Sequence, residues 1–191
     1  MQKIFLKNNQ KGFTLAEILI SVVVVLMILT IVSSIFVLSQ RVSRKSNTKA
    51  ELIQNGRIVI DLMTREIRQG MDIVTTLPAD TSNPDLVAHE LLFEDGHNTD
   101  QIQYIKYYLD GNDLMRQIVV YYFDYAPTTY VRWHDNDQFG PPTAHVIDER
   151  IIGEFFSSID FYGDNEINID IVLEKNSEEI ESHSEISPRN A

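Results

Sequence analysis

The 191-residue sequence contains no cysteine and only one tryptophan. Without cysteine, disulfide bonds, thiolate metal sites and cysteine nucleophiles are excluded. Basic residues are also scarce, because 16 lysines and arginines stand against 28 aspartates and glutamates, for a net charge of −12. Since an acidic surface repels phosphate backbones, we do not expect general nucleic-acid binding.

The sequence also lacks the common signatures of catalytic and metal sites. Its five histidines are scattered, and no zinc motif, phosphate-binding glycine loop or nucleophile elbow occurs. The aspartates within 110–113 and at 135 and 137 do not have the spacing of a twelve-residue calcium loop. We therefore expect no enzyme activity, no metal and no cofactor, and leave calcium binding open at this stage.

One long apolar run dominates the N-terminal region. Ile18 to Leu38 contains 21 residues and no charge. At about 1.5 Å per residue a helix of this length spans roughly 31 Å, the thickness of a bilayer core. Its few hydroxyl side chains can bond back to the helix backbone. The run predicts a single transmembrane helix.

A short polar segment with three lysines precedes this run and ends at Gly12. An ordinary secretory signal is cleaved after its apolar run, so that the run is lost. A cut after Gly12 would instead leave the run on the product.

Glu17 lies at the edge of the run, where a carboxylate is costly to insert and usually has a partner. The alternative is that Glu17 reaches back to water.

The segment Lys11 to Ile20, KGFTLAEILI, resembles the class III prepilin signal of type IV pilins and type II secretion pseudopilins. The resemblance implies that prepilin peptidase cleaves between Gly12 and Phe13 and methylates the new Phe13 amine. It also implies that Glu17 pairs with the terminal amine of a neighbouring subunit. Residues 1–12 would then be a cytoplasmic leader, 13–38 a span of the cytoplasmic (inner) membrane and later filament core, and the body extracytoplasmic. The implied partners are prepilin peptidase and other pilins.

A second helical pattern follows the apolar run. Apolar residues and one glycine recur in steps of three and four, which predicts that residues 39–70 are helical with one buried face. They would continue the apolar helix, so that one helix runs from Phe13 to about Gln69. The segment Leu52 to Gln69 resembles J-type pseudopilins and W-type minor pilins, with its Asn-Gly-Arg, Asp-Leu-Met and Arg-Glu-Ile-Arg pattern. That resemblance implies a minor subunit. The predicted buried stripe consists of Leu52, Ile53, Gly56, Val59, Ile60, Met63 and Ile67.

Residues 71–173 have the pattern of an antiparallel β head domain. Strands rich in Ile, Val and Tyr flank Asp110-Gly111-Asn112-Asp113, which predicts one hairpin from 101–109 and 114–123. Alternating apolar residues predict a second from 151–162 and 166–173, and 86–93 is a candidate short strand. We expect the helix stripe to cover the apolar face of this sheet.

Two segments of the head region are predicted to lack regular structure. Residues 126–148 form a predicted surface loop, and its Trp133 is the candidate for a partner contact. Residues 174–191 are acidic and poor in apolar residues, which predicts a disordered tail.

The sequence thus predicts an α+β, pilin-like fold, with a long N-terminal helix whose first half is transmembrane, packed on an antiparallel sheet. The predicted function is a minor pilin or pseudopilin that primes or caps a type IV pilus-like filament. Two alternatives stay open: a DNA-uptake or adhesion subunit with a ligand-binding head, and an uncleaved single-pass membrane protein.

Overall fold

The computed structural model describes residues 12–83, 86–97, 101–164 and 166–187. The leader residues 1–11, and the last four residues of the predicted tail, therefore lie outside the described residues. The chain divides into two compact units, one ending at Ser46 and one beginning at Asn47. The first unit contains the N-terminal part of helix α1 (Leu15–Gln69). The second, called the head from here on, contains the remainder of α1 and every strand of the described residues.

In the part of the chain that the structure describes, eight strands follow the helix and form two antiparallel sheets. The strands are β1 (Leu91–Glu94), β2 (Tyr104–Asp110), β3 (Asp113–Tyr122), β4 (Tyr130–Val131), β5 (Thr143–Gly153), β6 (Phe156–Tyr162), β7 (Ile167–Lys175) and β8 (Glu178–Ile186). The larger sheet has the order β1-β2-β3-β4, with β5 paired to β3, and the smaller has the order β6-β7-β8. The predicted α+β class, a long apolar N-terminal helix with antiparallel β-structure, is confirmed.

The core of the second unit lies between the C-terminal part of α1 and the two sheets. The helix contributes Leu52, Val59, Met63 and Ile67, which are buried against inward-facing residues of β1, β2, β6 and β7. Gly56 permits this approach, because a Cβ built there would lie only 3.3 Å from Leu173 Cδ1. The stripe prediction was wrong at Ile53, which is exposed.

Both predicted hairpins are present. Strands β2 and β3 pair around the Asp110–Asp113 turn, where Gly111 has a φ of +63°. In the second, β6 pairs with β7, and Ile167, Ile169, Ile171 and Leu173 all face the core. The candidate short strand is shorter than 86–93, since only Leu91–Glu94 pairs with β2.

The predicted strand over 151–162 is in fact two strands in different sheets. The chain leaves β5 at Gly153 and enters β6 at Phe156, with Phe155 at a φ of +70°. A Cβ at position 153 would lie 2.5 Å from Phe156 Cε2 and 2.6 Å from Val59 Cγ2, so the crossing requires glycine. Ile151 precedes the crossing and is 53% exposed, whereas the alternation placed it on the buried face.

The prediction of a surface loop over 126–148 was also wrong in part. It contains β4, and its last residues, from Thr143, belong to β5, which pairs with β3 along its length. Almost all of β5 is exposed on both faces. Without a buried face the strand has no apolar alternation, so hydrophobic periodicity could not reveal it.

The tail prediction failed for a similar reason. Strand β8 pairs with β7 in register through the two-residue turn Asn176-Ser177, whose φ angles of +53° and +63° suit a tight hairpin. Its inward positions are Ile180, Ser182, Ser184 and Ile186, and only the last is fully buried. Small hydroxyl side chains on the inner face gave the segment the composition of a disordered tail.

Candidate processing and assembly site

The Gly12–Phe13 bond lies in exposed, non-helical chain immediately before α1. The Phe13 side chain is 83% exposed. A Cβ built at Gly12 would meet no atom of the described residues within 4 Å. The packing of the chain therefore does not require glycine at position 12, and any such requirement would come from an enzyme that binds this segment.

Thr14 and Glu17 form a reciprocal cap at the first turn of α1. The Thr14 backbone N–H and hydroxyl both donate to Glu17 Oε2, at 2.8 and 3.0 Å, and the Glu17 N–H donates to Thr14 Oγ1 at 3.3 Å. This is a capping box, which satisfies backbone donors that a helix N-terminus leaves free. It explains why the helix begins at Leu15 and not at Phe13 as predicted. The cap also gives Glu17 a role within its own helix.

The apolar half of α1 is long enough to cross a membrane, and none of its most apolar stretch is buried within the described residues. Three of its hydroxyls are satisfied within the helix. Ser21, Thr30 and Ser34 donate to the carbonyls of Glu17, Leu26 and Thr30 at 2.7, 2.8 and 2.9 Å. A helix that satisfies its polar groups in this way suits a hydrocarbon environment.

Residues 7–35 match the family model described as the prokaryotic N-terminal methylation motif. No curated protein and no solved structure matches the chain. The matched residues contain the Gly12–Phe13 bond, the Thr14–Glu17 cap and most of the apolar run.

The chain thus carries a type IV pilin-type signal and is prepilin-like. Such a signal directs processing by prepilin peptidase and, in general, assembly with other pilins. Together with the long apolar helix it fits membrane anchoring.

The residues that carry the second resemblance hold α1 against the sheets. The Asn55 side-chain amide donates to the Glu154 carbonyl at 2.8 Å. Gly56 leaves room for the Leu173 side chain, and Glu66 accepts hydrogen bonds from the buried Arg116. The Asn-Gly-Arg and Arg-Glu-Ile-Arg pattern therefore includes residues that the head needs for packing.

Trp133, the candidate contact residue, is 39% exposed and follows β4. Its backbone N–H donates to the hydroxyl of the buried Tyr104 at 3.2 Å, and its ring lies edge-on to His134. Tyr104 also packs edge-on against Tyr121 at 5.1 Å. Burial raises the pKa of Tyr104 to about 12, and the nearby Glu94 charge adds to the shift, although the Trp133 N–H opposes it. The Trp133 side chain as a partner contact stays a prediction.

Two other aromatic side chains near this loop are more exposed, at 68% for Tyr125 and 80% for Phe139. The contact residue predicted from the sequence was Trp133, and neither of these two side chains was predicted. The available signal was the position of Phe139 in the turn-rich run Asp137-Gln138-Phe139-Gly140-Pro141, where an apolar ring has little core to enter.

The other side chains considered for chemistry lie apart. His89 and His183 contact Asp160 and Asp170, at 2.8 and 2.6 Å. Asp135 and Asp137 accept backbone N–H groups of their own turns. Across the described part of the chain, no group of three His, Asp or Glu residues is arranged to hold a metal ion.

Proposed function

We propose that this chain is a minor, non-enzymatic subunit of a type IV pilus-like filament, either a type II secretion pseudopilus or a type IV pilus. Prepilin peptidase cleaves the Gly12–Phe13 bond and methylates the Phe13 amine. The observation that carries the proposal is an exposed, non-helical Gly12–Phe13 bond directly before an uncovered apolar helix, within the matched methylation motif.

Before cleavage the chain waits in the cytoplasmic membrane, with its body on the extracytoplasmic side. The apolar part of α1 exchanges lipid for the helices of neighbouring subunits during assembly. In that apolar environment the Glu17 carboxylate pairs with the Phe13 amine of the next subunit, and the pair sets the register between subunits. The Thr14 cap holds the carboxylate at the N-terminal end of the helix, where the incoming amine arrives.

The minor-subunit role, in which the chain primes or caps the filament, is supported by the resemblance of Leu52 to Gln69 to J-type pseudopilins and W-type minor pilins. It is supported further by a head whose core is built from residues between Leu52 and Ile186. Such a head can fold while the apolar run is in lipid or in a filament. The exposed aromatic side chains beyond β3 suit a subunit that contacts partners.

The decisive experiment is the intact mass of the chain after co-expression with a prepilin peptidase. We expect loss of residues 1–12 and gain of one methyl group on Phe13. The matched variant Gly12→Glu should stay uncleaved with an unchanged melting temperature, because position 12 has open space around it. A wild-type product that keeps Met1 in the presence of active peptidase would contradict the proposal and favour an uncleaved membrane protein.

A further inference from the structure

Three aromatic rings and two carboxylates meet in a cleft between the end of β3 and the start of β5. The Phe123 and Tyr125 rings are stacked, with centroids 5.8 Å apart and planes inclined by 3°. Phe139 meets Tyr125 at 6.4 Å and 61°. The cleft has a volume of about 240 Å³ and is lined by Phe123, Asp124, Tyr125, Asp137, Phe139, Pro141 and Thr143.

The two carboxylates of this cleft are held in place by hydrogen bonds. Asp137 Oδ1 accepts the backbone N–H groups of Phe139 and Gly140, at 2.7 and 3.0 Å, and this turn presents the Phe139 ring. Asp124 Oδ1 accepts the Thr143 hydroxyl at 3.2 Å, which ties the cleft to β5. Within the described part of the chain, each carboxylate thus keeps its Oδ2 for a ligand.

Among the described residues, neither carboxylate has a cationic partner. No lysine or arginine lines the cleft, and in the described ranges neither Asp124 nor Asp137 forms a salt bridge. Uncompensated negative charge beside aromatic faces attracts cations, and the net charge of −12 strengthens the attraction at long range.

We infer that this cleft binds an arginine side chain of a partner polypeptide. A guanidinium group is planar, stacks on aromatic faces and carries five N–H donors, so it can use the rings and the free carboxylate oxygens together. A quaternary ammonium group has no N–H donor and would leave those oxygens unused. This inference does not rest on the proposed filament role, because it depends only on the geometry of the head.

The test is a titration of the full chain in detergent micelles with the blocked tripeptide Gly-Arg-Gly, followed by NMR of labelled Phe and Tyr rings. The matched probe replaces arginine by citrulline, which keeps the shape and removes the charge. We expect the arginine peptide to shift the Tyr125 and Phe139 resonances and to bind more tightly than the citrulline peptide. Added salt should weaken the binding of the arginine peptide and leave the binding of the citrulline peptide unchanged.

Variants of the cleft separate its two components. Asp124→Asn and Asp137→Asn remove charge, and an asparagine at 137 can still accept the N–H groups of the turn. Each of these variants, and Phe139→Ala, should weaken arginine binding by about two- to fivefold. The control Glu181→Gln, an exposed acid on β8, should leave it unchanged. Equal binding of the citrulline peptide, or wild-type affinity in all cleft variants, would overturn the inference, whatever the outcome of the processing experiment.

Discussion

Arg116 Nε lies 2.9 Å from Glu66 Oε2 and 3.2 Å from Glu66 Oε1, in a largely buried pair that joins strand β3 to helix α1. The Tyr107 hydroxyl also donates to Glu66. Burial opposes the charge on Arg116, but the hydrogen bond and the charge of Glu66, together with Tyr107, outweigh that effect, and the pKa of Arg116 is raised. Burial, together with the Glu66 charge, likewise raises the pKa of Tyr107. The pair and the tyrosine form one polar cluster within an apolar interface.

Breaking this pair should destabilise the head strongly. Glu66→Ala leaves the buried Arg116 guanidinium with only the more distant and more exposed Asp148 carboxylate, at 3.9 Å, and we expect a loss of about 3–5 kcal/mol. The measurement is urea unfolding of the full chain in detergent, followed by the fluorescence of Trp133, the single tryptophan. The control is Glu51→Ala, which breaks the exposed Glu51–Lys175 pair and should cost about 0–1 kcal/mol. Equal losses of stability in the two variants would show that the buried Glu66–Arg116 pair stabilises the head no more than the exposed pair does.

If β8 is an ordered strand, its buried residue Ile186 should contribute to stability, which a disordered tail would not do. Ile186→Ala removes a fully buried side chain and should cost about 2–5 kcal/mol in the same unfolding experiment. Ile151→Ala is the matched control, because the exposed Ile151 side chain should contribute within about 0.5 kcal/mol. If Ile186→Ala unfolds at the wild-type urea concentration, the β7–β8 pairing is wrong.

Glu17 has two roles that one substitution separates. Glu17→Gln keeps an oxygen that can accept the Thr14 N–H, so the cap should persist, but it removes the charge that pairs with an amine. We expect cleavage at Gly12 and helix content to be retained, and incorporation into filaments to fall. Filament fractions probed by immunoblotting measure this outcome. Wild-type incorporation of Glu17→Gln would rule out the carboxylate–amine pair.

Alkaline pH should destabilise the head through Tyr104. Its pKa is 10.0 in ordinary surroundings and about 12 in the folded chain, so the folded state holds the proton over that interval while the unfolded state loses it. The stabilisation is therefore complete below pH 10 and is lost as pH rises towards 12. Unfolding midpoints measured across this range should fall less steeply for Tyr104→Phe than for the wild type. Parallel curves would show that Tyr104 does not contribute.

The sequence predicted the elements that have one apolar and one polar face. Leu52 to Ile67 follows helical spacing, and Ile167 to Leu173 alternates, because each of these segments buries a single face against the same core. Strand β5 is exposed on both faces except at its end, and β8 presents serines to the interior, so composition gave no signal for either.

The processing segment was readable from its own residues, since its features lie within a few positions of one another. The Thr14–Glu17 cap follows from their spacing of three, although the sequence reading did not identify it. Contacts such as Glu66 with Arg116, or Tyr125 with Phe139, join residues far apart in the chain. These contacts depend on strand pairing and loop closure, which a single sequence does not specify.

The head core draws its members from Leu52 to Ile186, and the uncovered apolar run contributes none of them. In genetic terms, missense changes therefore fall into two groups. Those within 18–38 should leave a normal amount of protein in the cell but alter where it resides. Those at core positions such as Leu173 should reduce its abundance through degradation. In a collection of mutants scored for location and abundance, changes in the two units of the chain should give two separate phenotypes.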